Sequence, residues 1–325
     1  MSIKEKLYQM FLLGTDSGGY KTALENGLGG VIFFTPDIQS VEQFKTLVKN
    51  IKARAKIPPF LAIDQEGGRV ERTENIHGGK KYLCAKLAYE KGKEFLQNQT
   101  EKIARELKGY GLNLNFAPCV DVNTNPDNPV IGERAFSDRP EDVTSGGLLS
   151  VETYLQNGII PCIKHFPGHG DAAADSHLTL PLIDKTLGEM QPHIEPFRQI
   201  IKKFNGSAVQ PMVMIAHLHC AAFDKEKIPS SQSKNTVSYL RNELGFDGVI
   251  VSDDMLMKGA CGIENACEKS MRAGVNLFIY RGSRPETVQI IESLAEKAGF
   301  DRELRSCIEK SYEKIIKMKE CCIGE

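Results

Sequence analysis

The densest group of chemically active side chains is KHFPGHGDAAADSHLTLP, residues 164–181, which places three histidines, a lysine and two aspartates in a stretch bent by glycine and proline. Asp175 and His177 are two positions apart. A bent loop brings such a pair to one side, where the carboxylate orients the imidazole and stabilises its charged form. His177 is therefore the expected proton donor and acceptor, with Asp175 as its partner. His169 is expected to pin the loop through backbone hydrogen bonds.

Other candidates sit at the ends of short apolar runs: Asp64, Asp121, Lys164 with His165, His217 with His219, Asp253 and Arg281. Any one of them could be a helix cap or a satisfied polar group. Their recurrence at one end of successive runs argues for a common bowl.

Eight apolar runs carry them: residues 9–14, 29–34, 59–64, 112–118, 159–165, 212–218, 248–253 and 276–280. Runs apolar on both faces suit strands of a buried parallel sheet, and the helical stripes between them read as βαβ units. Eight such units predict a single-domain (β/α)8 TIM-type barrel over residues 1–325. SVEQFKTLVKNIKARA is an amphipathic cover helix, with Ser40 and Gln43 spaced for a capping box. A basic, amphipathic C-terminal helix is expected over about residues 302–320. Long connections at 65–82, 119–139 and 166–185 each follow a proposed strand, which puts them on the face where barrel active sites are built.

Composition narrows the function class. With 41 basic and 42 acidic side chains the net charge is -1, so no global field favours nucleic acid or an anionic membrane. No apolar run spans a bilayer and the N-terminus lacks a convincing cleavage site, so a cytoplasmic, monomeric protein with a small uncharged or modestly charged substrate is expected. The nine cysteines are scattered and odd in number, which reads as reduced thiols. His165, His169 and His177, or the His217–His219 pair, have metal-ligand chemistry, but matching acidic ligands are not evident. No metal or other cofactor is expected.

Four motifs in order, DQEGGRVER (64–72), GERAF (132–136), KHFPGHG followed by DSH (164–177) and VSDDMLMKG (251–259), resemble those of family 3 glycoside hydrolases. The chain length and the Asp-Ser-His loop are similar to the bacterial β-N-acetylglucosaminidase branch. The resemblance implies that Asp253 is the nucleophile and that Asp254 supports the following helix. It implies His177 as acid/base with Asp175 as partner. Asp64, Arg72, Arg134, Lys164 and His165 would hold the sugar, and Glu66 and Arg69 would brace the Gly67–Gly68 turn. Two departures, the segment 76–92 and Arg281, fall where the leaving group or pocket rim is expected.

The implied activity is retaining hydrolysis of terminal β-linked N-acetylglucosamine, through a glycosyl-Asp253 intermediate, on cell-wall fragments. In such enzymes nucleophile and donor lie about 5–5.5 Å apart. The glycine- and alanine-rich loop 166–180 is expected to close over substrate and deliver His177. The alternatives are a β-glucosidase or xylosidase of the same family, attack by the substrate's own acetamido group, a phosphorolytic enzyme and a non-catalytic binder of peptidoglycan fragments.

Overall fold

The structure, a computed structural model, describes residues 1–172, 180–261 and 265–323. Each apolar run forms a strand: β1 Phe11–Leu13, β2 Gly30–Phe33, β3 Phe60–Ile63, β4 Leu114–Asn115, β5 Ile160–Phe166, β6 Met212–Ile215, β7 Ile250–Asp254 and β8 Leu277–Tyr280. The strands are parallel and close into a barrel in that order, with Phe11 to Leu13 of β1 registered against Phe278 to Tyr280 of β8. The (β/α)8 expectation therefore holds. A two-stranded sheet, Leu182–Ile183 with His219–Cys220, is added outside the barrel.

Every residue of β1, β2, β3, β5, β6 and β8 is buried, because the barrel interior covers one face of each strand and helices cover the other. Phe44 of the cover helix Val41–Arg54 meets Phe33 of β2 edge-on at 5.1 Å. Phe197 of the helix Leu187–Phe204 meets Phe166 of β5 in the same way at 5.3 Å. Fully burying a side chain of this size stabilises the fold by about 1.5–3 kcal/mol. Ser40 accepts from Gln43 N as expected, but the Gln43 side chain takes the N–H of Gln39 instead of Ser40, so the predicted capping box is half formed.

The two mouths of the barrel differ. At the N-terminal mouth the helix Arg302–Cys322 sends in Lys319, whose Nζ donates to Gln9 Oε1 and to the Gly29 carbonyl, each at 2.8 Å, and lies 4.8 Å from the Phe60 ring centroid. Those three residues stand at the starts of β1, β2 and β3, so the mouth is plugged. Functional side chains gather at the opposite mouth.

Candidate active site

Over the C-terminal ends of the strands lies a cavity of about 520 Å³, within the roughly 300–1,000 Å³ typical of small-molecule sites. Asp64, Arg72, Arg134, Lys164, His165 and Asp253 all line it, so six of the eight residues singled out as catalytic or sugar-binding meet in one place. The other two, Asp175 and His177, lie outside the described residues, as does most of the loop expected to close over substrate.

The polar wall is a neutral cluster of four charges. Lys164 Nζ, at the end of β5, donates to Asp64 Oδ1 at 2.8 Å and forms an ion pair with Glu66 Oε1 at 2.6 Å. Arg134 grips Glu66 with two bonds of 2.9 Å, from Nε to Oε2 and from Nη2 to Oε1. Burial opposes the charge on Glu66, but Arg134 and Lys164 outweigh it and hold the carboxyl below its usual range. Lys164 is likewise penalised by burial, yet Asp64 and Glu66 keep it protonated well above neutral pH. Such a bidentate, desolvated arrangement is a rigid scaffold for hydroxyl groups.

Glu66 departs in part from the sequence reading: its backbone N–H does span the glycine turn, donating to the Val70 carbonyl at 3.0 Å, but its carboxylate organises the charged side of the cavity. Asp64 and Glu66 are two positions apart, which in extended chain puts both side chains on one face; that spacing was an available signal. Arg69 also departs from expectation. Its guanidinium donates to the carbonyls of Pro129, Val130 and Ile131, tying the loop after β3 to the loop after β4. The turn itself rests on Gly67, whose φ is +92° and where an added Cβ would come within 2.3 Å of the Leu83 carbonyl oxygen.

Asp253 stands apart from this cluster at the end of β7. Among the described residues it receives one hydrogen bond, from Asp254 N at 2.8 Å. Burial raises its pKa, but the electrostatic influence of the His165 and His217 rings, the Asp254 N–H and Lys164 together bring it below the ordinary value. An ionised carboxylate with few lone pairs committed among the described residues suits nucleophilic attack. Asp254 takes the supporting role expected of it, accepting from Leu256 N at 3.1 Å and Arg281 N at 3.2 Å. Burial raises its carboxyl to about 6.

His165 is oriented from behind. Its Nδ1 is 2.7 Å from Asp121 Oδ2, leaving Nε2 toward the cavity and 3.4 Å from Arg134 Nη2. The same carboxylate accepts the backbone N–H of His169 at 2.6 Å. Asp121 is fully buried and does not line the cavity, so it positions other groups instead of meeting substrate. His169 pins its loop by backbone bonds, including its carbonyl to Asn128 at 2.8 Å, but its ring also lines the cavity.

His217 and His219 do not join the bowl. His217 Nδ1 faces Ser231 Oγ at 2.8 Å, and His219 Nδ1 faces the Ile228 carbonyl at 3.3 Å, so the pair does not converge on one point. The segment 76–92 supplies no lining residue either, whereas Arg281 does. Arg72 is placed with its guanidinium 5.6 Å from the Phe34 ring centroid. Its Nε has no hydrogen-bond partner among the described residues. Met214, Met257 and Ile279 are among the apolar residues that also line the cavity.

The model of the glycosyl hydrolase family 3 N-terminal domain matches residues 2–318. The beta-hexosaminidase A of Pseudoalteromonas piscicida is 36% identical over 281 residues, covering 78% of this chain and 45% of that protein. The beta-hexosaminidase of Idiomarina loihiensis is 31% identical, covering 82% of this chain and 80% of its own length. The solved structure of a glycoside hydrolase family 3 beta-N-acetylglucosaminidase from a Paenibacillus strain superposes with a TM-score of 0.91 at 29% identity, covering 100% of this chain and 63% of that one. The chain thus spans less than half of the first of these relatives and under two thirds of the Paenibacillus protein.

Proposed function

The chain belongs to glycosyl hydrolase family 3, and on that footing we propose that it is a retaining glycosidase releasing terminal β-linked N-acetylglucosamine from small glycosides. The observation that carries this reading is the position of Asp253, a carboxylate held below its ordinary pKa, with one hydrogen bond among the described residues, in the same cavity as the charged wall. The names of the relatives support the choice of sugar.

In the proposed mechanism, Asp64, Glu66, Arg134 and Lys164 hold the hydroxyl groups of the sugar, with Arg72 at the edge and His165 Nε2 completing the grip. The anomeric carbon then faces Asp253, which attacks while the leaving oxygen is protonated. His177, with Asp175 as partner, is the proposed donor, and the same imidazole returns to activate water in the second step. The apolar Met214, Met257 and Ile279 are suited to an acetamido methyl group. Cytoplasmic trimming of cell-wall fragments is the proposed setting.

Parallel assays with chromogenic N-acetyl-β-glucosaminide and β-glucoside test the reading, with Asp253→Asn and His177→Ala as controls. Selective release from the first substrate, abolished in Asp253→Asn and reduced in His177→Ala, is expected. Preference for the glucoside would change the sugar, release dependent on added phosphate would change the reaction, and no release from either would favour a binding protein. Trapping of a fluorosugar on the peptide containing Asp253 would separate the covalent route from attack by the acetamido group.

A further inference from the structure

A second buried cluster lies behind the sugar pocket. Cys119 Sγ is 3.2 Å from Asp121 Oδ2, and His165 Nδ1 is 2.7 Å from the same oxygen. One ligand atom from each residue falls within 4.8 Å of the other two, and all three side chains are buried. Beside them His169 is 2% exposed, and neither of its ring nitrogens has a hydrogen-bond partner among the described residues. Its ring centroid is 6.0 Å from that of His165. A buried imidazole with two uncommitted nitrogens carries a desolvation cost that a ligand would relieve.

We propose that Cys119, Asp121 and His165 form a binding site for a soft divalent cation, zinc or cadmium, and that its occupation disables the sugar pocket. Zinc bonds to sulfur at about 2.3 Å and to nitrogen or oxygen at about 2.0–2.2 Å, so only small adjustments of the three side chains are required. A thiolate selects soft metals, and thiolate plus carboxylate neutralise the double charge. His169, the adjacent imidazole with ring nitrogens unpartnered among the described residues, is the candidate for the fourth position. On binding, the Cys119 thiol proton passes to solvent, one proton per metal, with no change of oxidation state. The ring proton of His165 changes nitrogen.

That last change is how the site acts. With Nδ1–H directed at Asp121, His165 Nε2 is an acceptor toward the cavity and toward Arg134 Nη2 at 3.4 Å. A metal on Nδ1 forces the proton onto Nε2. The ring then presents a donor to the Arg134 donor, and a sugar hydroxyl loses the partner it would donate to.

Cadmium chloride titration of the full chain tests this, following ultraviolet thiolate-to-cadmium absorption and, in parallel, hydrolysis of the chromogenic N-acetyl-β-glucosaminide. One cadmium per chain is expected, with the absorption saturating as activity falls. Each variant is compared with its own metal-free activity. Cys119→Ala is expected to need about 10-fold more metal or beyond and to lack that absorption increment. The other cysteines contribute equally to both proteins, so the difference isolates Cys119. Cys119→Ser, which keeps the size and is a poor soft-metal ligand, repeats the comparison if alanine disturbs packing. Equal inhibition of the native protein and both variants, or no Cys119-dependent absorption, overturns the proposal. The inhibition rests on the function proposed above but the binding does not. A Cys119-dependent absorption change in a chain without glycosidase activity therefore upholds the metal site and refutes the function.

Discussion

Lys164 Nζ lies 2.6 Å from Glu66 Oε1, with the lysine side chain only 2% and the glutamate 5% exposed. Removing one partner of so buried a pair leaves the other charge desolvated and uncompensated, and the asymmetry is steep.

Glu66→Gln is accordingly expected to cost about 3–5 kcal/mol, read as a fall in the denaturation midpoint at pH 7. Because the folded-state pKa of Glu66 is depressed by Arg134 and Lys164, its contribution is present above the unfolded value and is lost as pH falls below it. The stability gap between native protein and variant should therefore close in strong acid. A gap that is the same at low and neutral pH would refute this account.

Asp121 holds His165 without lining the cavity. Asp121→Asn is expected to raise KM for a chromogenic substrate by about 10- to 100-fold, in line with outer-shell partners of other oriented histidines, while kcat changes less. An equal loss in kcat with unchanged KM would mean that His165 takes part in the chemical step.

The acid limb of the pH profile offers a third test. Asp253 is held below the ordinary carboxylate value, so its protonation lies well under neutral pH. Burial raises the neighbouring Asp254 to about 6, and it anchors Arg281 N as an acceptor. A limb near that pH in kcat/KM is expected to flatten or disappear in Asp254→Asn. Persistence of the same limb would assign it to another group.

At the far mouth, burial lowers the Lys319 amine to about 7. Between there and its ordinary value near 10.5 the unfolded chain binds the extra proton, so stability rises with pH across that window and levels off below it. The native protein should gain on Lys319→Met by at most about 1.4 kcal/mol per pH unit between pH 7 and 10. A constant difference in unfolding free energy over that range would show that the amine titrates normally.

Arg72, Arg134 and Lys164 show why residue types were legible from the motifs while partners were not. An arginine or lysine at a strand end states a charge and a face, and both follow from local order. Which carboxylate neutralises it depends on neighbours such as Glu66 and Arg134, brought together only when the loops after β3 and β4 fold against one another. The same limit misplaced Arg69, whose acceptors are three carbonyls of the next loop.

By itself the sequence determined the eight strands, their helical cover and the end of the barrel that carries chemistry, because hydrophobic period and chain direction are local properties. The motifs, through their resemblance to the family, also marked Asp64, Arg72, Arg134, Lys164, His165 and Asp253 as one set. Tertiary structure decided the rest: that Glu66 is the hub of the charged wall, that Asp121 works from behind His165, and that His217 and His219 diverge. Those outcomes turn on distances of about 3 Å between residues far apart in the chain, where hydrogen-bond and charge energies vary too steeply for spacing alone to specify.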